Sequence, residues 1–263
     1  MHDPATSPLE SAFFDQGQTP TIACVNKASV PLGVDWAKLV AALDSYAKTF
    51  ATVWGTPCSV VDAGTGDIPA GNWALVFLDT ADAPGALGYH DLTPDGMPLS
   101  KIFVKTTIDD GEKVSVTASH ELAEMLVDPG IQMGAVGPDG RTWYAYETAD
   151  AVEAESFDID GIAMSNFVYP SWFEGFRKPH STQFDHLGSC VRPFELKKGG
   201  YISIFKNGRW SQIFGSIEAR DRFARTAHPR ACARREAAER ANQAGLQELP
   251  GVPAEPDMEL ACP

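Results

Sequence analysis

Apolar positions along this chain recur with two periods, and the switches between them mark out its elements. Trp36, Leu39, Val40, Leu43, Phe50, Val53 and Trp54 follow helical spacing, which predicts a helix capped by Asp35 and running to about Trp54. Gly55-Thr56-Pro57 ends it. Short apolar runs around that helix read as strands, at residues 21–25, 58–61 and, most strongly, 73–78. Gly85-Ala86-Leu87-Gly88-Tyr89-His90 reads as an edge strand loosened by its glycines. Pro94-Asp95-Gly96 is a turn, and residues 101–105 form a further strand. The helical period then returns in Ser119-His120-Glu121-Leu122-Ala123-Glu124-Met125-Leu126-Val127-Asp128-Pro129, closed by Pro129-Gly130. The predicted order is strand, helix, strand, strand, edge strand, strand, helix.

Beyond that helix the pattern becomes β-like. Gly137-Pro138-Asp139-Gly140 is a turn, and Asp158-Ile159-Asp160-Gly161 suits a hairpin. Residues 201–205 and 210–214 flank Lys206-Asn207-Gly208-Arg209, whose Asn-Gly pair predicts a second hairpin. From about Ser216 the composition changes to Ala, Arg and Glu. Two short exposed helices divided by Pro229 are expected there, followed by a Pro- and Glu-containing tail. The organisation is therefore a flexible lead-in at 1–18, one α/β (α+β) domain at 19–215, and a helical and disordered appendage at 216–263.

Composition narrows the function classes. The 263 residues carry a formal charge of −14, which argues against a general nucleic-acid binder. No run of about 18 apolar residues occurs, so no membrane span is expected. The first residues lack the basic and apolar regions of a signal peptide, and cytoplasmic localisation is expected. The five cysteines are scattered and form no C-x-x-C pair, in keeping with reduced thiols. Between Ser216 and Gly245 seven arginines face four acids, which would suit a solvated helical face or an arm that docks a partner.

The chemistry centres on His120 and Glu124. Four residues apart on one helix, they share a face, while Leu122, Met125 and Leu126 point to a core. An imidazole and a carboxylate one turn apart are two ready metal ligands. Glu121, rotated by about 100°, stands beside such an ion as a general base. A third ligand must come from elsewhere. Glu147 and Asp150, three residues apart in a carboxylate-rich stretch, are the candidates; the other would support His120 from behind. Tyr169 and His186 are candidate donors to an oxyanion. One divalent ion, Zn2+ by donor type, is expected. On ligand spacing alone, a solvated charged helix face is the competing reading.

These residues carry a resemblance. The motif His-Glu-x-x-Glu, its strand order, and the following Glu-x-x-Asp are similar to the zincin metallopeptidases, over roughly residues 19–153. The wording around the motif also resembles zincin-like proteins of bacteria and their phages. The resemblance implies a mixed sheet with an edge strand over the cleft and an active-site helix beneath it. It makes His120 a ligand, Glu121 the base and Glu147 the third ligand. An extended peptide or protein substrate would lie along Gly88, Tyr89 and His90. Glu124 departs from the family, which has a second histidine there. Two carboxylates on one ion lower its Lewis acidity and admit a harder metal. The expected function is metal-dependent peptide hydrolysis. The alternative is a zincin-like structural or interaction protein without turnover, such as a virion or assembly component that docks its partner through the C-terminal appendage.

Overall fold

The computed structural model describes residues 19–82 and 86–225. The lead-in, the tail and the second predicted appendage helix lie outside the described residues. The chain folds as an α+β protein. Its first half builds a five-stranded sheet from β1 (Thr21–Asn26), β2 (Ser59–Asp62), β3 (Trp73–Leu78), β4 (Gly88–Leu92) and β5 (Pro98–Phe103), in the order β2-β1-β3-β5-β4. Four strands are parallel, and β4 is antiparallel to β5 at one edge.

Helices cover one face of this sheet. The first, α1 (Trp36–Trp54), starts where Asp35 Oδ1 accepts the Lys38 N–H at 3.0 Å and ends on Gly55 at φ 69. Its apolar side is buried through Leu39, Leu43, Tyr46 and Phe50. A short α2 (Val104–Asp109) leads into α3 (Val114–Val127), the helix of the His-Glu-x-x-Glu motif. The strand expected at 101–105 is thus shifted to 98–103, because Val104 already opens α2.

Alternation along the strands sets the two faces of the sheet. Ile22, Cys24, Trp73, Leu75, Phe77 and Ile102 point to α1 and α3 in the main core. Val25, Ala74 and Val76 line the opposite face.

The second half begins after α3. β6 (Gly134–Val136) and β7 (Trp143–Ala145) join β10 (Tyr201–Lys206) and β11 (Arg209–Phe214) in an antiparallel sheet of order β11-β10-β7-β6. Asn207 and Gly208, both at positive φ, make the β10–β11 turn. β8 (Ser156–Ile159) and β9 (Ile162–Ser165) form a separate hairpin that turns at Asp160-Gly161. It is fastened to α3 by polar groups: Ser115 Oγ donates to the Ala163 carbonyl, and Ser165 N–H donates to Ser119 Oγ. The appendage begins as α4 (Ile217–Arg225). Among the described residues no helix is long and apolar enough to cross a membrane. Cys24, Cys58 and Cys190 are free and buried, and burial above all pushes the thiols of Cys58 and Cys190 up to about 12.

Candidate metal centre

α3 is enclosed on nearly every side, and only Val116 of its fourteen residues is not buried. That excludes the solvated-face reading of its charged residues. His120 is 6% exposed, Glu121 2% and Glu124 0%. Desolvating ionised side chains costs several kcal/mol each, at the order-of-magnitude level, unless opposite charge or donors answer them. The enclosure is made by β4 and β5 above and the β8–β9 hairpin below. Ser100 of β5 donates from its Oγ to the Glu121 carbonyl at 3.3 Å. Gly88 lets β4 come close, since a Cβ there would meet Glu121 Cγ at 2.9 Å and Thr117 Cγ2 at 3.0 Å.

Three groups converge on one point from two elements. His120 Nε2 lies 3.2 Å from Glu124 Oε1 and 3.1 Å from Asp150 Oδ1. Ligand bonds of about 2.0–2.1 Å place neighbouring donors of a tetrahedral ion about 3.3 Å apart. The donor types and separations therefore fit a divalent metal.

Asp150 opens a short 3-10 turn (Asp150–Val152). Ala151 and Val152 sink into the second core with Trp172, Phe173 and Ile204, which fixes the turn. The Lys197 N–H donates to the Ala151 carbonyl at 2.9 Å, and Gly200 packs where a Cβ would lie 2.7 Å from that oxygen. The preceding Ala149 N–H donates to Glu124 Oε1 at 3.3 Å.

His90 sits on the other side of Glu124. The strand pairing sets it opposite Ser100, on the face that meets α3, and it is 1% exposed. Its Nδ1 is 3.7 Å from both Glu121 Oε2 and Glu124 Oε2, and its Nε2 is 3.8 Å from Glu147 Oε2. Burial opposes its protonation, and the carboxylates of Glu147, Glu121 and Glu124 outweigh burial and raise its pKa to about 8. His90, Glu121 and Glu124 form a second set able to hold a cation, beside His120, Glu124 and Asp150.

The structure thus gathers His90, His120, Glu121, Glu124, Glu147 and Asp150. It separates the third-ligand candidates: Asp150 stands against His120, while Glu147 faces His90. His90, read from sequence as a substrate contact, is turned inward among the carboxylates. Tyr89 points to the opposite face of the sheet, where its hydroxyl lies 2.9 Å from both Asp82 oxygens and 2.7 Å from Lys101 Nζ. Tyr169 and His186 are neighbours, Oη to Nδ1 at 3.4 Å, packed against Phe167. Asp128 serves the helix end, its carboxylate accepting the N–H groups of Gln132 and Met133.

One residue had no sequence signal beyond its helical phase. Tyr46 of α1 is fully buried, and its hydroxyl has no hydrogen-bond partner among the described residues. Burial first, and the nearby Glu124 charge second, push its pKa well above the ordinary value, so it stays a neutral phenol. Comparison with family models, curated proteins and solved structures returns no match.

Proposed function

We propose that this protein is a metal-dependent hydrolase of peptide bonds, with its ion, zinc by donor type, held by His120, Glu124 and Asp150. The observation that carries the reading is the convergence of His120 and Glu124, on a buried helix, with Asp150 from a following turn, at 3.1–3.2 Å, with Glu121 next to His120 in sequence. A divalent ion bound there would polarise water and a substrate carbonyl. Glu121 takes up the proton that the attacking water gives up and returns it to the leaving amine. β4 borders the helix and pairs on one side with β5, which suits an extended peptide added along its other side. No role in the reaction is assigned to Tyr169, whose described contacts lie with His186 and Phe167.

The enclosure of the site favours a second reading, a closed metal centre that stabilises an assembly component without turnover. None of the six gathered side chains belongs to a residue more than 6% exposed, and a substrate carbonyl needs a path to the ion. Zinc-loaded protein incubated with a mixed peptide library separates the two. Cleavage that chelator abolishes, and that Glu121→Gln abolishes while an ion stays at His120, supports the hydrolase. Zinc-loaded wild type that melts higher but cleaves nothing overturns it in favour of the closed centre.

A further inference from the structure

We infer that the centre holds two divalent cations bridged by Glu124. This rests on the metal-site reading above and deepens it. Glu124 presents its two oxygens to two different partners: Oε1 lies 3.2 Å from His120 Nε2, and Oε2 lies 3.7 Å from His90 Nδ1. A carboxylate spanning two ions in this way is the arrangement of two-metal sites, whose ions stand about 3.5–4 Å apart. One ion takes His120, Glu124 and Asp150; the other takes His90, Glu121 and Glu124.

The independent observation is His90. It is 1% exposed, and neither of its ring nitrogens has a hydrogen-bond partner among the described residues. A buried neutral imidazole normally donates one hydrogen bond and accepts another. Here Nδ1 points at two carboxylate oxygens, each at 3.7 Å, beyond hydrogen-bond reach. That gap is the space of a cation between nitrogen and oxygens, and the Glu147 carboxylate lies on the Nε2 side at 3.8 Å, as near as the ring's other charged neighbours but not hydrogen-bonded to it.

Charge argues the same way. Glu121, Glu124, Glu147 and Asp150 are all buried; with metal bound, ligand imidazoles are neutral, and two divalent ions would match the charge of four ionised carboxylates. One imidazole among carboxylates suits Mn2+ as well as Zn2+. Glu121 then holds the second ion through one oxygen and keeps the other for the proton.

The test is metal stoichiometry of the full chain at saturating Zn2+, with the same protein loaded with Mn2+ for electron paramagnetic resonance. Two zinc ions per chain, falling to one in His90→Ala and in Glu121→Gln, with an exchange-coupled Mn2+ pair in the wild type, is the expected result. His90→Asn replaces His90→Ala if the latter does not fold, and the wild-type spectrum stands without any variant. One zinc ion per chain, retained in His90→Ala and lost in His120→Ala, overturns the second ion and leaves the hydrolase reading standing. Two ions that persist in His90→Ala overturn the role of His90. No bound ion in the wild type overturns both readings.

Discussion

Asp185 and Glu124 are both carboxylates without solvent exposure, and their surroundings differ in kind. Asp185 is ringed by donors. Its Oδ1 accepts the Cys190 N–H at 2.6 Å, and its Oδ2 accepts Asn166 Nδ2 at 2.8 Å, the Leu187 N–H at 3.1 Å and Ser189 Oγ at 3.2 Å. Asn166 Nδ2 also reaches Glu155 Oε2, which takes Ser189 Oγ as well. That network closes on itself and pins the loop after Phe184. Glu124 takes the Ala149 N–H and faces imidazoles on both sides, with further carboxylates behind them. A buried acid answered by N–H and O–H donors holds a fold together. A buried acid answered by imidazoles and other acids calls for a cation.

The contrast breaks most readily at Asp185. Asp185→Ala strands the Cys190 N–H and takes one of two acceptors from the Leu187 N–H, Asn166 Nδ2 and Ser189 Oγ, and is expected to cost about 3 kcal/mol. Urea unfolding should show the same loss with chelator or with zinc present. If the loss disappears on adding zinc, the two clusters are not independent. Zinc itself should act almost as strongly through the other cluster. An ion at 100 times its Kd adds about 2.7 kcal/mol to folding stability.

Glu124→Gln separates the two kinds of acid by sign. In chelator the variant should be at least as stable as wild type, because a buried charge is gone; in saturating zinc it should be less stable, because a ligand is gone. A variant destabilised equally in both conditions would make Glu124 a structural acid like Asp185. Gly88→Val comes next. A side chain there meets Glu121 Cγ and Thr117 Cγ2, and overpacking of this kind costs about 1–3 kcal/mol. It should also lower zinc content by moving His90 away, while Gly96→Ala, in the open β4–β5 turn, should leave zinc content unchanged.

Much of this was legible in the sequence, because the signals were local. The Asp35 cap, the Gly55 stop, the succession of strands and helix along the chain up to α3 and the two hairpin turns at Asp160-Gly161 and Asn207-Gly208 each depend on neighbours in the chain. So does the pairing of His120 with Glu124, one helical turn apart. What sequence reasoning could not supply was long-range. His90 is 30 residues from His120, and only its register with Ser100 on β5 tells which face it takes. A shift by one residue would exchange it with Tyr89. Asp150 and Glu147 were an equal pair by spacing. They are told apart by Ala151 and Val152 seating in the second core, against residues as distant in the chain as Ile202 and Ile204. Tyr46 carries no signal in the sequence beyond its helical phase, and its hydroxyl acquires meaning only once α3 brings Glu124 near.

The smallest effect concerns His186, which separates the donor-rich network from the metal centre by its pH response. It stacks on Phe167 at 4.9 Å between ring centroids and sits near Phe157, Tyr169 and Asp185. Burial lowers its pKa below the ordinary histidine value, and the Asp185 charge only partly opposes this. The folded protein thus favours the neutral ring. Its contribution is fully present above the unfolded pKa of about 6.5 and is lost as pH falls through that value toward the lower folded one. His186→Phe keeps the ring stack without the titration. With chelator present throughout, the fall in stability between pH 7 and pH 5 should be slightly shallower in the variant than in wild type. An identical or steeper fall would mean that protonation of His186 does not set the acid sensitivity of this loop.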